Sequence, residues 1–167
     1  EFVDIYGVQI PVDVRDFQKT NANNYVVSES YILDGIEFGW QGELADYAGR
    51  VLEAQRRRYS RTGQLTAVTE DNIDAPPYFI YNTVYSNGVP WAAITDQNQP
   101  IPQFRSISTK AAFGWHYLYP SNEYAQKVFD AVKDLRSPKN DGFYAGLYET
   151  TQKPNTSLTG NTNGLIL

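Results

Sequence analysis

The sequence predicts a mainly α-helical fold made of paired helices, with β-hairpins inserted in the connections. Three observations carry that expectation. Apolar residues recur at helical spacing in four separate stretches. Ser, Gly and Pro fall at the ends of those stretches. The long segment between the second and third stretches has no helical period but contains Asn87-Gly88, a strong hairpin signal. Helices in pairs, joined by alternately short and elaborate connections, form layered α/α arrays. In such arrays the elaborate loops gather at one end and carry function.

Taken in order, Val8, Ile10 and Val12 alternate with Gln9, Pro11 and Asp13, a half-buried edge strand broken by its proline. Residues 25–38 read as a helix apolar on most sides, interrupted by Glu29 and Asp34 and ended by Gly39 and Gly42. Residues 43–59 form the clearest amphipathic helix: Leu44, Ala48, Val51 and Leu52 make its stripe. Arg56, Arg57, Arg58 and Arg61 close it in accord with the helix dipole, and Gly63 stops it. In the non-helical stretch 64–105, Leu65 to Thr69 is β-prone, Glu70 to Asp74 is an acidic loop, and Tyr78 to Trp91 is an aromatic-rich hairpin. Helices resume with Ser106 or Ser108 as N-cap, and again after Pro120 with Ser121 as cap. Residues 141–150 are a short strand or turn, and Asn161 or Thr162 opens a last helix of about two turns. That opening suggests that the chain is part of a larger protein.

Composition narrows the function classes. At 167 residues the chain can build a core, and 41% hydrophobic residues argue against disorder. No run reaches the roughly 18 apolar residues of a membrane span. The absence of cysteine removes disulfides and thiolate metal sites. A net charge of −5 makes nucleic acid a poor partner. With one histidine, His116, zinc catalysis has no ligand set, and no Gly-x-Ser-x-Gly elbow or phosphate loop occurs. Tyrosine is abundant, at 13 residues beside 8 Phe and 3 Trp. An apolar ring with a hydroxyl suits sugars, and it equally suits a tyrosine-rich core or a protein interface.

The candidate chemistry is carboxylate chemistry, which needs no metal or cofactor. Glu29, inside an apolar helix, is either a hydrogen-bonded structural group or an acid with a raised pKa. Glu70, Asp71 and Asp74 can supply a general acid or base, bind calcium without EF-hand spacing, or solvate a turn. Glycoside hydrolysis requires two carboxyls in unlike environments, and Glu29 with Glu70 or Asp71 would satisfy that need. Asp141 and Glu149 are further candidates. Tyr81, Trp91, Arg105, Tyr144, Tyr148 and Asn155 are candidate substrate-binding residues around the two hairpins. Cross-strand packing is the competing role for each tyrosine.

Four ordered blocks point further: residues 24–38 (NYVVSESYILDGIEF), 65–79 (LTAVTEDNIDAPPYF), 102–114 (PQFRSISTKAAFG), and the closing Gly-Phe-Tyr and Asn-Thr-Asn-Gly segments. Together they resemble the bacterial family catalogued as domain of unknown function 3131. The resemblance implies kinship with glycoamylase-like (α/α) toroid glycoside hydrolases and an incomplete (α/α)6 toroid. It further implies that residues 1–167 form a single domain, the C-terminal half of a ring completed by a second chain or fragment. It implies an extracytoplasmic protein that acts as a glycoside hydrolase on a glucan or exopolysaccharide. The alternative is a non-catalytic polysaccharide-binding or export component.

Overall fold

The computed structural model describes residues 1–20, 22–139 and 141–167. In chain order these are β1 (Phe2–Ile5), β2 (Val8–Pro11), α1 (Phe17–Thr20), β3 (Tyr25–Val26), α2 (Ser28–Phe38), α3 (Leu44–Thr62), β4 (Glu70–Asn72), β5 (Phe79–Asn82) and β6 (Tyr85–Ser86). They continue with β7 (Val89–Pro90), β8 (Ala93–Ile94), a 3-10 turn at Pro102–Phe104, β9 (Ser106–Ser108), α4 (Thr109–Leu118), α5 (Glu123–Val132), β10 (Gly146–Tyr148), β11 (Pro154–Asn155) and α6 (Gly160–Ile166).

The fold is mixed α/β, 39% helix and 21% strand, with four small antiparallel sheets. This corrects the mainly α, toroid-type array expected from the sequence, and the ring completed by a second chain loses its basis with it. The reason lies in strand length. Several strands are two or three residues long, and some pair across distant segments: β3 with β6, and β9 with β10. Runs that short carry no readable period. The expected helix over 25–38 is accordingly a strand followed by a helix, and the expected acidic loop at Glu70 is strand β4.

Other expectations agree with the structure. Helix α3 buries Ala48, Val51 and Leu52 and ends at Gly63, whose φ of 73° is the left-handed cap conformation. Asn87-Gly88 turns between β6 and β7 with both φ values positive, as a tight hairpin requires. Ser108 occupies the N-cap position of α4 with its hydroxyl turned to Asp71 instead of the helix amides, whereas Asn122 rather than Ser121 caps α5, accepting from the Tyr124 and Ala125 amides.

The core lies between the helices. Helix α2 packs on α3 and α4, and α4 also meets α5 and α6. Ile32, Val51, Ala111, Trp115 and Val128 are buried there. Gly114 sets the approach of α4 to α2: a Cβ on it would lie 2.3 Å from Ile32 Cγ2. The β-prone stretch 65–69 runs extended between the starts of two helices. Its Val68 carbonyl accepts from Ser28 N and its Ala67 carbonyl from Ser108 N, at 3.2 and 2.8 Å. Buried Gln55 of α3 receives the Val68 amide at 2.8 Å. The starts of α2 and α4 are thus tied to one backbone segment.

Candidate functional site

Three helices present the same position to one point. Glu29, Lys110 and Asn161 are each the second residue of their helix, α2, α4 and α6. Lys110 Nζ donates to Glu29 Oε2 at 2.5 Å and to Asn161 Oδ1 at 2.6 Å. Asn161 Nδ2 donates to Glu29 Oε1 at 3.4 Å. Lys110 is only 1% exposed and Glu29 8%. A cation in the first turn of a helix opposes the helix dipole, so Lys110 needs the Glu29 carboxyl to be tolerated there.

Strand β4 adds two more acids on opposite faces. Glu70 pairs with Tyr81 across the strands, half-buried, and the Tyr81 ring stacks on Tyr25 with centroids 4.1 Å apart. Burial raises the Glu70 pKa, the nearby Glu29 raises it further, and Lys110 opposes both. Asp71 points the other way, into the layer between β4 and β9, and is 2% exposed. Ser108 Oγ donates to its Oδ1 at 3.1 Å, while Oδ2 has no hydrogen-bond partner among the described residues. Burial pushes Asp71 up to about 8, against the pull of Lys110 and Ser108. Near neutrality Asp71 therefore retains its proton.

The remaining sequence candidates fall into two other groups. Glu149 receives a bidentate pair from Arg58 at 2.6 and 2.9 Å, and both side chains are buried. The Arg58 guanidinium also lies over the Trp91 ring, and Arg105 Nη2 donates to the Trp91 carbonyl at 2.7 Å. The second group is a clip. Tyr148 OH donates to Asp74 at 2.5 Å, Thr156 donates to the same carboxylate, and buried Asn155 donates to the Asn72 carbonyl at 2.7 Å. Tyr144 touches the site frame through its carbonyl, which accepts from Thr109 Oγ1 at 2.7 Å. Glu29, Glu70, Asp71 and Tyr81 are thus brought together; Trp91 and Arg105 meet elsewhere, as do Tyr148 and Asn155.

Sequence reading passed over Lys110 and Asn161. The signal for Lys110 was present: a lysine opening an otherwise apolar helix, at the wrong end of its dipole. Arg58 read as a solvated C-terminal charge, and only the fold brings Glu149, 91 residues away, to meet it.

Fold and site define an α+β protein with a carboxyl–lysine cluster buried where helix starts meet short sheets. The whole chain, residues 1–167, matches the family described as Protein of unknown function (DUF3131), and the chain belongs to that family. No curated protein and no solved structure matches it. Among the described residues, no helix is long and apolar enough to cross a membrane, and no group of three or more His, Asp or Glu side chains is placed to hold a metal ion.

Proposed function

We propose that this protein is carbohydrate-active and cleaves a glucan or exopolysaccharide by carboxylate acid–base chemistry. The observation behind the reading is the meeting of Glu70 and Glu29 in unlike surroundings, next to stacked Tyr25 and Tyr81. Glu70 is half-buried with a raised pKa, which suits a proton donor. Glu29 is gripped by Lys110 and Asn161 and so held in one orientation. In the proposed step Glu70 gives its proton to the glycosidic oxygen as the bond from the anomeric carbon breaks. Water supplies the new hydroxyl, and its proton passes to Glu29. Asp71 lies on the opposite face of β4, hydrogen-bonded to Ser108 at the start of α4. Tyr81 and Tyr25 offer ring surface to the C–H face of a pyranose. An extracytoplasmic location is part of the same proposal and rests on the sequence blocks.

A second reading, a polysaccharide-binding or export component without turnover, is favoured by the engagement of both Glu29 oxygens with Lys110 and Asn161. Glu70→Gln and Glu29→Gln separate the two when assayed for reducing ends released from a panel of glucans and bacterial exopolysaccharides. The catalytic reading expects turnover that falls roughly 10²–10⁴-fold in each variant. Turnover that survives both changes refutes it. A glycan that binds without being cut establishes the second reading.

A further inference from the structure

The Arg58–Glu149–Arg105 cluster carries more positive than negative charge. Arg58 takes both Glu149 oxygens, and Arg105 reaches that carboxylate only at 3.9 Å. Arg105 Nε has no hydrogen-bond partner among the described residues. Burial lowers the Arg105 pKa, Glu149 raises it, and the neighbouring Arg58 charge lowers it further. This guanidinium is therefore short of anionic partners, in a chain whose net charge is −5.

Arg105 also lines a cleft of about 360 Å³, together with Phe17, Pro90, Ile94 and Pro102. Amide side chains mark its edge: Asn87 Nδ2 donates to Asn98 Oδ1 at 3.1 Å, and Asn98 Nδ2 to Asn23 Oδ1 at 2.9 Å. The Arg105 side chain is 22% exposed. Its position is fixed from behind by the Trp91 carbonyl, and the Trp91 ring lies against Tyr6 and Arg58.

We propose that this cleft binds a carboxylate-bearing sugar residue, such as a uronate of an acidic polysaccharide. Arg105 takes the carboxylate, the ring and proline wall takes the pyranose C–H face, and the amide edge meets the hydroxyls. A planar guanidinium is matched to a carboxylate in a way that an ammonium is not. Apolar wall and amide edge together match a sugar better than an acidic peptide, whose backbone would lie unpaired against the prolines. This inference rests on the carbohydrate reading above and adds to it a separate cleft for an acidic sugar residue.

The test is calorimetric titration of the whole chain with hexagalacturonate, its methyl ester, maltohexaose and polyglutamate. The acid form is expected to bind about tenfold tighter than its ester, a difference of about 1.4 kcal/mol. Salt should narrow the gap by screening. Arg105→Gln should abolish the preference, with thermal melting used to verify its fold. The acid–ester comparison on the unaltered protein needs no variant at all. Equal binding of acid and ester overturns the inference, as does polyglutamate binding as tightly as the glycan, or a folded Arg105→Gln that keeps the preference. Cleavage of a neutral glucan that depends on Glu70, with no preference for the acid form, removes this inference and leaves the proposed function standing. Absence of any glycan binding removes both.

Discussion

Asp71→Asn replaces a buried acid by a neutral side chain of the same shape. In the folded protein Asp71 holds its proton to about pH 8, whereas the ordinary value is 3.8. Between the two values the folded state binds one proton more than the unfolded state, so stability falls as pH rises. The contribution is fully present below about pH 4 and is lost as pH climbs through the folded value. The slope is about 1.4 kcal/mol per pH unit, so the protein should lose roughly 2–3 kcal/mol from this group between about pH 5 and pH 7. The substituted amide cannot titrate. The variant should therefore gain on the parent by roughly 2–3 kcal/mol over that range, the difference cancelling the groups that both proteins share. Urea unfolding followed by tryptophan fluorescence at each pH gives the numbers. A difference between variant and parent that stays flat with pH, or that moves in the parent's favour, refutes the argument. Asp71 would then be ionised in the folded state, and the burial of its carboxyl between β4 and β9 would be wrong.

Two further substitutions test the frame of the site. Lys110→Met removes the only ammonium on Glu29 and leaves a buried carboxyl without its ionic partner. It should cost about 3–5 kcal/mol, read by urea unfolding. An equal loss in a chain that already carries Glu29→Gln would show that Lys110 acts through packing instead. Gly114→Ala places a Cβ 2.3 Å from Ile32 Cγ2, and should destabilise by about 1–3 kcal/mol. In a chain carrying Ile32→Ala, which lacks Cγ2, the same change should cost less, and an equal cost would show that α2 and α4 do not meet there.

Legibility followed the range of the interactions. Helix α3, its glycine stop and the Asn87-Gly88 turn depend on neighbours within a few residues, and each was readable from spacing and turn chemistry. Glu29 stood out as an acid inside an apolar helix and Glu70 and Asp71 as members of an acidic loop, and the fold puts all three within electrostatic reach of Lys110. Tyr148 and Asn155 were chosen for their chemistry alone. Their partners, Asp74 and Asn72, lie 74 and 83 residues away and use them to join two loops.

By itself the sequence determined the helix punctuation, the four blocks that mark the family, and the restriction of chemistry to carboxyls, amides and aromatic rings. These are properties of composition and short-range order, which the chain carries whether or not it is folded. The tertiary structure decided the fold class, because strands of two or three residues exist only when a partner supplies the other half of each hydrogen-bonded ladder, and for β3 and β9 that partner is distant in the chain. It also decided the site. Three helices that begin at residues 28, 109 and 160 share no local signal. Only packing brings their second residues together, so that Lys110, disfavoured at its own helix start, is stabilised by Glu29 of another.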